Sequence, residues 1–216
     1  MTELHDQPPK FPLPLSRVGI EGVRKLVRIP KRDENHNILL LNINCYVNLP
    51  SNLKGVHMSR NLEAINEILE DAMEKGKYKM ENLAKEIAKK ILEKHNYASL
   101  CEVNITTKYM VRKHQKQKFV KLFFDVILER EKEPVVNIGG KIRGEIGGRV
   151  VEAMIKVEND VDAKEIINIL FDSLKNKSVG EAIEEATQKC KELKLKGKIR
   201  YFVEYPDYVK LLECKL

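Results

Sequence analysis

NINCYVNLPSNLKGVHMSRNLEAINEILE, residues 42–70, holds two periodicities and the junction between them. Up to Pro50, the residues Leu41, Ile43, Cys45, Val47 and Leu49 alternate with Asn and Tyr, as in a strand with one buried face. Beyond Ser59 the spacing changes. Leu62, Ile65, Leu69 and Ala72 recur at helical intervals, and the helix is expected to end by Gly76. Residues 50–59 therefore read as a loop that feeds a strand into a helix N-terminus.

The same reading extends in both directions. Upstream, residues 18–29 form a strand kinked at Gly19 and Gly22. Before it, Pro8, Pro9, Pro12 and Pro14 remove backbone donors and fix φ, which predicts an extended arm. Downstream, Leu83, Ile87 and Ile91 place a second helix over residues 80–95. Two strands follow, one on Val103, Ile105, Thr107, Tyr109 and Val111, the other on Val120, Leu122, Phe124, Val126 and Leu128, with a polar turn at residues 113–118.

The order then repeats. Residues 135–142 and 149–157 are strand-like. Asp160 or Asp162 caps a helix carrying Ile166, Ile167, Leu170, Phe171 and Leu174. Ser178 and Glu181 have capping-box spacing before a helix stopped at Gly197. Residues 198–204 and 208–215 are final strands. The pattern predicts an α+β fold in which a proline-rich arm, 1–15, precedes two modules, 16–131 and 133–216. Each module has a four-stranded antiparallel sheet with two helices on one face. Open sheets leave edges, so closure by further copies is expected, with sites where units meet.

Composition sets the class. The chain has 216 residues, 43% hydrophobic and 33% charged, with 39 Lys and Arg against 32 Asp and Glu and a net charge of +7. It is globular, and its positive field favours anionic ligands. No apolar run reaches the roughly 18 residues of a membrane span, and the N-terminus has no secretory pattern, so a cytoplasmic protein without membrane contact is expected. Cys45, Cys101, Cys190 and Cys214 form no CxxC pair and read as buried free thiols. No nucleic-acid-binding signature is present.

The densest polar stretch is Lys54-Gly55-Val56-His57-Met58-Ser59-Arg60-Asn61. Free amides and the dipole at a helix start attract anions, and Lys54, Ser59 and Arg60 add donors. His57 suits proton transfer or metal ligation. The alternative is structural, with Ser59 or Asn61 capping the helix and His57 packed in the loop. Gly139, Gly140, Gly144, Gly147 and Gly148 read as a flexible hairpin or as a phosphate cradle, but not as a P-loop, because no GKS or GKT follows.

Val18-Gly19-Ile20 and Lys54-Gly55-Val56-His57-Met58-Ser59-Arg60 together resemble the type IB GTP cyclohydrolase family, which includes the archaeal methanopterin-pathway branch. The resemblance covers residues 17–70 closely. It implies the tunnelling fold, GTP or a related purine or pterin as ligand, and a homodimer or larger oligomer. It also implies opening of the imidazole ring with formate release by water bound to a divalent metal, Fe(II) above all. His57 takes the catalytic position by this resemblance, and Lys54, Ser59, Arg60 and Glu204 the substrate-binding ones. The family's Cys-Pro-Cys-like and His-containing segments have no counterpart in residues 136–149, which hold neither residue type. The metal ligands are therefore unassigned, with His57, Cys101 and Glu145 as candidates. A relative that keeps the fold and binds a purine or pterin without turnover is the alternative.

Overall fold

β1 (Leu15–Pro30) and β2 (His36–Leu49) form a long antiparallel pair in the computed structural model, which describes residues 8–30, 36–75, 79–113, 116–158 and 161–216. A methyl group on Gly19 would lie 1.9 Å from the Cys45 carbonyl oxygen, so glycine lets the strands approach here. Gly22 has φ +70° at a register shift between Ile20 and Val23, which is the expected kink.

The chain continues through α1 (Met58–Lys75), α2 (Met80–Lys94), β3 (Leu100–Lys113), β4 (Lys116–Glu129), β5 (Val135–Ile146) and β6 (Arg149–Val157). It ends with α3 (Ala163–Ser173), α4 (Val179–Glu192), β7 (Gly197–Glu204) and β8 (Val209–Lys215). The expectation of tandem tunnelling-fold modules, each with its own four-stranded sheet, is overturned. All eight strands belong to one antiparallel sheet, ordered β1 to β8. The cause is the connection between β4 and β5. Only residues 130–134 separate them, a hairpin-length link that makes the next strand an antiparallel neighbour. Gly76, residues 114–115 of the polar turn, Asp160 and residues 1–7 of the arm lie outside the described residues.

Packing divides the chain into two compact units, Met1–Thr106 with Phe124–Val136, and Thr107–Phe123 with Asn137–Leu216. In the first, Leu41, Ile43, Ile65, Leu83, Ile87, Ile91, Ile105 and Phe124 are fully buried. Each contributes roughly 1.5–3 kcal/mol relative to exposure. Leu62, expected in the α1 stripe, is exposed, and Asn61 and Ala64 face inward with Ile65, Leu69 and Ala72.

Arg130 closes the C-terminal end of α2. Its Nη2 donates to the carbonyls of Leu92, His95 and Ala98 at 2.9, 3.0 and 2.8 Å, and its Nε to Ala98 at 3.0 Å. The Leu92 carbonyl lies in the last turn of α2 and that of His95 at its cap, where a cation also complements the dipole, while Ala98 lies in the segment that follows. Arg130→Ala is expected to lower the unfolding free energy by roughly 1–2 kcal/mol, measured by urea titration. Arg130→Lys should recover less than half, because an ammonium cannot reproduce the planar fork.

In the second unit, Gly139, Gly140 and Gly144 lie inside β5 rather than in a flexible hairpin. Only Gly147 and Gly148, with φ 57° and 76°, make the turn into β6. The glycines serve packing. A methyl on Gly140 would meet Leu170 at 2.9 Å and Ile166 at 3.0 Å, so α3 settles closely onto the strand. The Asp162 side chain accepts from the Lys164 amide at 2.9 Å and caps α3. Ser178 Oγ accepts from the Glu181 amide at 3.2 Å, while the Glu181 carboxylate accepts from the Lys177 amide at 3.1 Å, one residue earlier than a standard capping box. α4 ends before Gly197, where Lys194 at φ 53° reverses the chain. Gly197 instead opens β7, and a methyl there would lie 2.1 Å from the Lys156 carbonyl oxygen.

Candidate functional site

The junction of β2 and α1 holds four of the five expected site residues. α1 starts at Met58, so Ser59 and Asn61 lie within its first turn, and neither is its cap. The His57 carbonyl accepts from the Arg60 amide at 3.1 Å. Lys54 and Ser59 are exposed, and His57 is buried beside Val56. No acidic residue occupies the first turn of α1, so its positive end is uncompensated by its own side chains. Arg60 is half-buried and sends Nη1 to the Lys94 carbonyl at 3.2 Å, tying α1 to the end of α2.

Behind this loop lies a buried network that the sequence reading did not single out. His95 and Asn61 are both fully buried. His95 Nε2 lies 2.7 Å from Asn61 Oδ1, and Nδ1 lies 2.8 Å from the Tyr97 hydroxyl. An amide oxygen only accepts, so Nε2 carries the proton and Nδ1 accepts from Tyr97. Burial, with the nearby Arg60 and His57, lowers the His95 pKa to about 4, so the ring is neutral at pH 7. Asn61 Nδ2 is buried and has no hydrogen-bond partner among the described residues. The sequence signal was an Asn on the inward stripe of α1 and a His at the end of an apolar helix.

Glu204, the fifth residue, belongs to the second unit, at the end of β7. Both of its carboxylate oxygens accept from Arg143 Nη2, at 2.7 and 2.9 Å. Its turn carries Tyr205 and Tyr208, stacked 4.6 Å apart, with the Arg149 guanidinium 4.3 Å over Tyr205.

The donor set does not fit a divalent metal. Among the described residues no three His, Cys, Asp or Glu side chains stand together as ligands. Cys45, Cys101 and Cys190 are buried and free, and Cys214 is half-buried. Burial raises the Cys45 thiol to about 12 and Cys190 to about 11, and pushes Cys101 higher still. A metal binds the thiolate, which these environments disfavour. Glu145 is exposed on β5 and lies in the second unit, whereas His57 and Cys101 are in the first.

The family model for type I GTP cyclohydrolase folE2 matches residues 1–144. The chain belongs to this family. Among curated members, the GTP cyclohydrolase MptA of Methanobrevibacter smithii is 34% identical over 195 residues, covering 88% of this chain and 59% of that protein. The MptA of Methanothermobacter thermautotrophicus is 36% identical over 155 residues, covering 69% of this chain and 47% of its own length. The chain thus spans about half the length of the curated folE2-family relatives it matches. In fold it is similar to two solved uricases. The Arthrobacter globiformis structure has a TM-score of 0.61 at 11% identity, covering 94% of this chain and 93% of that one. The Bacillus fastidious structure has a TM-score of 0.60 at 12% identity, covering 93% of each. Among the described residues no helix is long and apolar enough to cross a membrane.

Proposed function

We propose that the chain is a GTP cyclohydrolase of the type IB, methanopterin-pathway kind, opening the GTP imidazole ring and releasing formate to give a dihydroneopterin phosphate. The observation that carries this reading is the family match over residues 1–144, which includes the Lys54–Arg60 junction. The tunnelling-fold label, on this reading, attaches to the continuous eight-stranded sheet. Lys54, Ser59, Arg60 and the free amides at the start of α1 hold the phosphates, and Arg60 Nη1 also ties that junction to α2. His57 transfers protons. Glu204 accepts from the guanine edge, which offers two N–H donors to one carboxylate, and gives up its Arg143 partner to do so. The working form is a homo-oligomer joined through the edge strands β1 and β8.

The family is typically metal-dependent, and Fe(II) is the ion the resemblance implies. The described donors do not fit such an ion. That misfit favours a second reading, a relative that binds a purine or pterin without turning it over. Oxygen-free incubation of the protein with GTP and Fe(II), read by formate and by the fluorescence of oxidised pterin, separates the two. Product supports the first reading. Calorimetric binding of GTP or pterin that Lys54→Gln weakens, without product, selects the second, and absence of both product and such binding ends both.

A further inference from the structure

The face of the second unit's sheet turned away from its core holds a groove that these roles touch only through Arg143. Along β5 to β7, Ile142, Ile155, Ile199 and Tyr201 are buried, while Lys141, Arg143 and Glu152 project to the other side. There a cavity of about 410 Å³ is lined by Lys108, Phe119, Lys121, Lys141, Arg143 and Glu152. That volume falls within the roughly 300–1,000 Å³ of small-molecule sites.

The charges in this groove do not cancel. Lys141 Nζ lies 2.7 Å from Glu152. Arg143 stands directly across from Glu152 on β6, yet its guanidinium turns to Glu204. Both acids are thereby used. Lys108 and Lys121 are exposed and make no ion pair among the described residues. Two cationic donors thus face open space with no acidic side chain to neutralise them. Beside them Phe119 is 63% exposed, so its ring is open to stack against a flat partner. A smaller cavity on the same unit is lined by Lys156, Lys198 and Arg200, but it holds its own carboxylate, Glu158, and Lys198 and Arg200 share Glu213 at 3.3 and 2.6 Å.

We infer that this groove binds a nucleoside polyphosphate, with phosphate oxygens on Lys108 and Lys121 and the base against Phe119. An ammonium pairs with phosphate through charge-assisted hydrogen bonds, and a base stacks on an aromatic ring whatever its sequence identity. The site does not depend on turnover of GTP, whose failure is read separately by formate release.

The test is calorimetric titration of the full chain with GTP, ATP and inorganic tripolyphosphate at low and moderate salt. All three bind, and added salt weakens them. GTP thus has two sites in the parent, this groove and the Lys54–Arg60 junction; the double variant K108Q/K121Q loses roughly 100-fold in affinity at the groove for all three probes, at about tenfold per lysine, and keeps the junction's GTP binding. Phe119→Ala weakens GTP and ATP by roughly tenfold and leaves tripolyphosphate unchanged. The substituted residues are exposed, so the variants keep the parent's thermal midpoint, and Lys121→Glu alone provides a second reading. Absence of binding by any of the three probes overturns the assignment. So does a double variant that binds as the parent does, or a single-stranded oligonucleotide that binds more tightly than the triphosphates.

Discussion

Acidification from pH 7 to pH 4 is expected to cost the protein on the order of 3 kcal/mol through His95 alone. The folded state holds this ring neutral down to about pH 4, against 6.5 for an ordinary histidine, chiefly because it is buried and secondarily because Arg60 and His57 are near. Between those two values the unfolded chain takes up a proton that the folded chain refuses. The stabilisation is therefore fully present above about pH 6.5, is lost as the pH falls towards 4, and changes little below that. Geometry reinforces the effect, since a second ring proton would point Nδ1–H at the Tyr97 hydroxyl now donating to it. Urea midpoints taken every half unit from pH 7.5 to 4 measure the slope. In His95→Gln the protein should be weaker at pH 7 but nearly flat from 6.5 to 4.5. An equal slope in parent and variant would show that His95 does not control it. The carboxylates of Glu67, Glu185 and Glu213, held low by neighbouring lysines and arginine, add their own loss only as the pH falls past the ordinary glutamate value of 4.5, at the acid end of that window.

Gly139→Val should cost about 3 kcal/mol, at the upper end of overpacking penalties. A Cβ at this position would lie 2.0 Å from the Phe123 ring and 2.5 Å from the Ile155 carbonyl oxygen. The ring can swing aside, because Phe123 is only partly buried. The carbonyl cannot, because it belongs to β6, which is paired to β5 along Ile138–Ile146. Phe123→Ala in the Gly139→Val background should therefore recover only part of the loss. Full recovery would mean that the ring alone sets the constraint. Gly140→Ala should be milder, since its nearest neighbours are the methyl ends of Leu170 and Ile166.

The strands were legible because their periodicity is strict. Leu41 to Leu49 and Val120 to Leu128 alternate as residues must when one face is buried, and all of these positions are buried. α1 was legible as a helix but not in its detail. Apolarity put Leu62 inside, whereas Asn61 took the inward position because His95, 34 residues away, offers its amide a partner. Distance along the chain also hid Arg130, whose carbonyl acceptors lie 32 to 38 residues earlier. The β5 glycines were misread because glycine alone marks either a bend or a close approach, and only Phe123, Ile166 and Leu170 tell the two apart. Of the candidate site, the Lys54–Arg60 junction was readable as a motif. The pairing of Glu204 with Arg143 was not, because it joins β5 to β7 across an intervening strand.

The Gly147–Gly148 turn has a practical use. A side chain at Gly147 would approach the Lys177 carbonyl oxygen at 2.7 Å, but at Gly148 nothing lies within 4 Å. Exposed tips of this kind accept extra residues with little harm to the elements they connect. A short peptide epitope or a fluorophore-bearing cysteine spliced in after Gly148 would give the molecule a handle for immobilisation or distance measurement without opening the sheet.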